Sequence, residues 1–240
     1  MKVTLDACLF GALVARHASV TPSRILDIGT GTGVLALMMA QQFVPNAPQL
    51  QIDAVELDQY AAQQASENAA RSVFRQQVRV IASSIESLPL ERCYDLIITN
   101  PPFFSDSLTG PDAARNQARH NQELSFAQLS AEIAKRLTAD GEAWVLLPVD
   151  EMQRFITAAN EVALSPTVHW LVRSQPSSPA YRSVMCFRHQ NQPHAHTEDT
   201  LLVTEEIAVR EGSSRTNGQP ANPCYSPAFT ELLKPFYLKL

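Results

Sequence analysis

A chain of 240 residues, 45% of them hydrophobic, is long enough to bury a two-sided sheet core, and its formal charge of −5 argues against a generic nucleic-acid binder, which would be basic throughout. No apolar run is long enough to cross a bilayer, and Leu5 to Ala15 lacks the charged flank and cleavage pattern of a signal, so it reads as a core helix. Cys8, Cys93, Cys186 and Cys224 lie far apart with no C-x-x-C, which points to free thiols in a reducing cytoplasm; His194 and His196 have no neighbour that completes a ligand spacing, so no metal is expected.

In chain order, strands are predicted near 25–29, 51–57, 78–83, 95–99, 142–147, 165–173 and 182–188, with helices near 33–43, 59–71, 125–138 and 150–163 between them. Such alternation gives a mostly parallel, doubly wound α/β sheet of seven strands, here a single domain over 1–240. The last two strands are joined by a Pro/Ser-rich connector instead of a helix, which predicts an antiparallel hairpin at one edge. Residues 190–224 are polar and rich in turn formers, with one candidate strand at 200–210.

The first predicted strand, Arg24-Ile25-Leu26-Asp27-Ile28, runs into Gly29, Gly31 and Gly33 and then into a helical Leu/Ala/Met run, the order of a nucleotide-binding βα unit. Its spacing is G-x-G-x-G; a dinucleotide fingerprint would need its third glycine at position 34, where Val stands. Gly29 and Gly31 let a ligand come close to the backbone, and Asp27 places a carboxylate where a cationic amino group could be met. The second strand ends in Glu56, suited to accept from two ribose hydroxyls. An adenosine with a positively charged amino-acid tail satisfies all of these groups.

The fourth strand empties into Asn100-Pro101-Pro102-Phe103. Each proline fixes its own φ and pushes the preceding residue out of the α region, so the turn is stiff. The Asn100 side chain and the Pro101 carbonyl then offer two acceptors, and Phe103 a flat face, for a planar group with an exocyclic NH2 such as a flipped-out base. Arg115 and Arg119, four apart, would share a face of a helix, and with His120 they follow this turn closely enough to grip phosphates. Arg173, Arg182, Arg188 and His189 form either a positive rim or scattered surface charges.

These segments resemble the class I S-adenosylmethionine-dependent methyltransferases, and among them the amino-methylating group with [N/D/S]-P-P-[Y/F/W]. Three further stretches sharpen the resemblance: Met1-Lys2-Val3-Thr4-Leu5-Asp6 to Ala12, Arg115 to His120 with Leu124-Ser125-Phe126, and Tyr225-Ser226-Pro227-Ala228-Phe229-Thr230 with Phe236-Tyr237-Leu238 are similar to the opening, R-x-x-A-R segment and tail of the bacterial tRNA1(Val) adenine-37 N6-methyltransferases. The resemblance implies S-adenosylmethionine as cofactor, bound by Asp27, Gly29, Gly31, Gly33, Glu56, Ser84 and Asn100. It also implies a tRNA anticodon loop as substrate, and a monomeric cytoplasmic enzyme is expected.

This chain departs from the family in two places besides its start at Met-Lys-Val, ahead of which relatives carry about a strand and a half. Ser84 stands where the family has Asp to hold the cofactor's adenine amino group, and Phe103 replaces the commoner Tyr. Two other functions use similar parts. A glutamine N5-methyltransferase of release factors shares the Asn-Pro-Pro-aromatic chemistry, but carries a helical domain for which the 23 residues ahead of Arg24 are too few. A non-catalytic RNA- or nucleotide-binding module could keep the fold with a decayed site.

Overall fold

The computed structural model describes residues 3–101, 124–190, 202, 204–211 and 224–237. Its strands, β1 (Arg24–Ile28), β2 (Gln51–Glu56), β3 (Val78–Ala82), β4 (Tyr94–Thr99), β5 (Leu137–Leu147), β6 (Leu164–Arg173), β7 (Ala180–His189) and β8 (Thr204–Ala208), form one sheet in the order β3-β2-β1-β4-β5-β7-β6-β8. Of the described strands only β7 runs antiparallel to its neighbours, so the sheet is mostly parallel with a reversed hairpin towards one side, as expected. The described residues hold eight strands against the seven counted from sequence: β8 lies parallel to β6, with His169 opposite Thr204 and Arg173 opposite Ala208. It was legible only as a candidate because just one of its five residues, Ile207, is buried, which leaves little hydrophobic signal.

Among the described residues six α-helices accompany the strands: α1 (Leu5–His17), α2 (Val34–Phe43), α3 (Gln59–Arg71), α4 (Phe126–Arg136), α5 (Val149–Glu161) and α6 (Pro227–Leu233). Strand residues alternate between two cores, one on each face of the sheet. Ile25, Leu96, Ile98, Trp144 and Leu146 join α1, α2 and α6 on one face, while Leu26, Ile97, Val145 and Leu147 join α4 and α5 on the other. On the second face Phe155 meets Phe126 and Phe187 edge-on, at centroid distances of 5.7 and 5.2 Å.

Helix α1 is buried from Ala7 to Ala15 without interruption, which explains its apolar sequence. Gly11 makes the close crossing with α2 feasible, since a Cβ there would lie 2.6 Å from Met38 Sδ. The N-terminus of α1 is capped by Thr4, and its Asp6 takes hydrogen bonds from the Tyr181 hydroxyl and Arg182 Nε, both 3.0 Å away. Beyond its other end, the Glu142 carboxylate collects Ser19, Trp144 Nε1 and Arg188, a buried charge with several donors around it.

Strand direction decides the fate of the four C-terminal cations. Ser183 is opposite Leu147 and Phe187 opposite Ala143, so Arg182 lies at the carboxyl end of the parallel strands and Arg188 and His189 at the far end. Arg173 ends β6 on the same side as Arg182. All four have partners: Arg182 pairs with Asp6, Arg173 with Glu206, Arg188 with Glu142, and His189 Nε2 approaches Leu137 O. A continuous positive rim is therefore not what they form.

Candidate active site

In an open α/β sheet the carboxyl ends of the strands are the natural ligand crevice. The strand order sets four features side by side there: the turn after β3 with Ser84, Glu56 at the end of β2, the glycine loop after β1, and Asn100 after β4. The register fixes their level, because Ile28 is opposite both Val55 and Thr99, and Glu56 is opposite Ala82.

The loop is shaped by left-handed backbone at Gly29, Gly31 and Gly33, with φ of 71, 58 and 84°. A side chain at these positions would be strained. The amides of Gly29 and Thr30 both donate to Val55 O, at 2.9 and 3.0 Å, pinning the loop across the end of β2. At Gly29 a Cβ would find no protein atom within 4 Å, so the backbone there faces open space, whereas at Gly33 it would lie 3.4 Å from Ala65 Cβ, where α3 packs against the loop. Asn68 on α3 donates to Thr32 O at 2.9 Å.

Asp27 is fully buried beneath this loop. Its Oδ2 accepts from Thr30 Oγ1 at 2.5 Å and from the Ala36 amide at 3.1 Å, so it caps the first turn of α2, where Gly33 has no side chain to do so. Burial pushes its carboxyl up to about 7; the bonds from Thr30 and Ala36 oppose the rise and the charge of Glu56 adds to it. Its Oδ1 is buried with no hydrogen-bond partner among the described residues.

Glu56 accepts from the Gly31 amide at 2.8 Å through Oε2 and from the Asp58 amide at 2.9 Å through Oε1. The carboxylate braces the loop and, with each oxygen carrying one bond, retains lone pairs for hydroxyl donors. Asp58 in turn caps α3. Ser84 heads the short turn Ile85–Ser87, its hydroxyl 3.0 Å from Ser87 Oγ, and Ser83 N donates to Glu56 O.

At the fourth position, Thr99 Oγ1 donates to Ile28 O at 3.0 Å and locks the end of β4 to that of β1. Asn100 is half-buried and Pro101 buried, and Asn100 Oδ1 has no partner among the described residues. Pro102, Phe103, Arg115, Arg119 and His120 lie outside the described residues, as do His194 and His196. Among the described residues no group of three or more His, Cys, Asp or Glu is placed to hold a metal, and no helix is long and apolar enough to cross a membrane.

Sequence reasoning did not single out Thr30, Asn68 and Thr99, which hold the loop and strand ends in place. The two threonines stand inside motifs whose glycines and prolines drew attention, and only the spatial neighbours of Asn68 identify it.

A loop of three left-handed glycines, an acidic residue closing the next strand and an amide acceptor after the fourth with no partner among the described residues thus meet at the carboxyl ends of a doubly wound sheet, the arrangement of a nucleotide-binding fold. The chain belongs to the family described as the methyltransferase small domain, which matches residues 9–147. It is similar over its whole length to proteins named tRNA1(Val) (adenine(37)-N6)-methyltransferase. That of Pedobacter heparinus is 34% identical over 99% of this chain and 92% of its own, and that of Dyadobacter fermentans 37% identical over 100% and 91%. Among solved structures, a predicted O-methyltransferase from Agrobacterium tumefaciens shares the fold, with a TM-score of 0.65 at 14% identity and 96% coverage of both chains.

The residues present fit S-adenosylmethionine, the cofactor of such enzymes. Gly29 opens on free space, Glu56 carries spare acceptor capacity for a ribose diol, and the buried acceptors Asp27 Oδ1 and Asn100 Oδ1 flank the loop. Replacing Glu56 by Ala removes the lone pairs that a ribose diol would use and leaves the Gly31 and Asp58 amides without this acceptor. Calorimetry with S-adenosylhomocysteine is expected to show affinity falling by about ten- to a hundredfold. Unchanged affinity would reduce Glu56 to a brace of the loop.

Proposed function

We propose that this protein transfers a methyl group from S-adenosylmethionine to N6 of an adenine in tRNA, and that the adenine is A37 in the anticodon loop of tRNA1(Val). The observation that carries this reading is the half-buried Asn100, whose side-chain oxygen, beside the glycine loop, has no donor among the described residues. The names of full-length relatives support tRNA over a release factor as substrate.

When bound, the cofactor supplies an electrophilic methyl group on its sulfonium. The work of the protein is then positional. Adenine N6 is a poor nucleophile because its lone pair is delocalised into the ring. Asn100 Oδ1 and the Pro101 carbonyl accept hydrogen bonds from the two N6 hydrogens, favour a more tetrahedral nitrogen and offset the positive charge that grows on it as the N–C bond forms and the S–C bond breaks; one N6 proton then leaves to water. Phe103 stacks on the extruded base, and extrusion costs little from a loop where the base is unpaired. Arg115, Arg119 and His120 grip the flanking phosphates.

Incubation with labelled S-adenosylmethionine and either bulk tRNA or release factor decides between substrates. The expected product is N6-methyladenosine in tRNA digests, and label in release factor alone would overturn the reading. Replacing both Arg115 and Arg119 by Ala is expected to weaken tRNA binding and lower its log–log salt slope by up to about two units, with cofactor affinity unchanged. A double variant that loses thermal stability but keeps the slope would make the pair structural.

A further inference from the structure

Arg136, the last residue of α4, is wholly buried. A guanidinium excluded from water is costly unless its donors are met. Here Nη2 donates to two backbone carbonyls, Ile85 O and Leu88 O, each at 2.9 Å, and Nη1 pairs with Glu132 one helical turn back, while Nε has no partner among the described residues. Ile85 and Leu88 bracket the short turn that Ser84 heads. The charge therefore fixes one particular turn, and a purely apolar core would not need it.

That turn lies next to Glu56 in the row of strand ends, on the side away from Asn100, because the order is β3-β2-β1-β4. A nucleoside whose ribose is held at Glu56, and whose tail runs over the glycine loop towards Asn100, has its base directed over the end of β3. Neighbouring strands are about 4.8 Å apart, so the turn after β3 is the next surface the base meets. Ser84, half-buried and neutral, offers only a short hydroxyl that is already engaged with Ser87. With so little side-chain reach, recognition of the base depends on where the turn's backbone is held.

We infer that Arg136 is a positioning residue that sets the base-binding turn through Ile85 O and Leu88 O, and so governs how much of the cofactor's binding comes from its adenine. The inference rests on the cofactor assignment above. It is tested by measuring, for the unaltered protein, Arg136→Met and Arg136→Lys, the affinities of S-adenosylhomocysteine and of S-ribosylhomocysteine, which keeps tail and ribose but has no base. Arg136→Met is expected to weaken the adenosyl ligand by about tenfold or more and to leave the baseless ligand nearly unchanged, since two backbone acceptors lose their donor. Arg136→Lys, which can still reach one carbonyl, is expected to fall between; if the Met variant does not fold, it carries the comparison alone. An equal loss for both ligands, or no loss for either, in a folded variant would overturn the inference. Failure of the unaltered protein to bind S-adenosylhomocysteine would instead overturn the cofactor assignment.

Discussion

Asn100→Ala is expected to cut methyl transfer to tRNA by about two to three powers of ten, the usual cost of removing one positioned polar group at a reacting centre. Cofactor affinity is expected to change far less, because the glycine loop and Glu56 are held by bonds that do not involve the Asn100 side chain. In the folded protein Asn100 Oδ1 has no donor among the described residues, so its removal breaks no hydrogen bond described in the free protein. Single-turnover rates at saturating cofactor, beside calorimetric titration of S-adenosylhomocysteine, separate the two effects. A variant that keeps half its rate would remove Asn100 from the mechanism, and parallel loss of rate and affinity would make the turn structural.

Asp27→Asn is expected to gain stability over the unaltered protein as pH rises. Burial raises the folded-state carboxyl to about 7, against an unfolded value near 4. A folded state that holds the proton more tightly is favoured below the unfolded value, loses that advantage as pH climbs between the two values, and has lost it above the folded one. Between pH 5 and pH 8 the linkage amounts to on the order of 3 kcal/mol. An Asn at this position cannot ionise and keeps an acceptor for Thr30 and Ala36. Its amide takes the place of the neutral carboxyl's proton, and any cost of that donor does not vary with pH. Urea denaturation at the two pH values is therefore read as a slope: the variant's stability relative to the parent should rise by about that amount. A pH-independent difference would mean that Asp27 is ionised across the range.

Much of the frame was visible in the amino-acid order. The predicted β1 to β4 and the helices between them fall within a few residues of their observed bounds, because each carries a strong apolar period punctuated by glycine, proline or an N-cap. Leu137 to Gly141 was not read as strand, since Ala139 and Asp140 are exposed and the segment lacks alternation. The terminal helix α6 was missed for its brevity, although Ser226 and Pro227 form an N-cap and first-turn signal. Glu56 and Asn100 could be placed at strand ends from sequence, whereas Asp27 could not be seen to lie under the loop and cap α2. The division of Arg173 and Arg182 from Arg188 and His189 follows from a chain reversal at the β6–β7 hairpin, which converts six residues along β7 into opposite ends of the sheet. Nothing in the sequence singled out Arg136, because only the fold brings Ile85 and Leu88 to it.

The uninterrupted burial of α1 bears on the order in which the molecule assembles. The surfaces that cover this helix arrive at very different times during synthesis. Helix α2 follows within a few tens of residues, whereas Trp170, whose ring packs tilted against His17 at a centroid distance of 4.8 Å, Tyr181 and Arg182 on Asp6, and Phe229 and Leu232 of α6 come from the last third of the chain. Native contacts so distant in sequence slow folding, and unpaired apolar surface is open to aggregation while it waits. A nascent chain stopped before β6 would therefore present the α1 side of its sheet to solvent, so the last third of the chain closes a face that the first third opens.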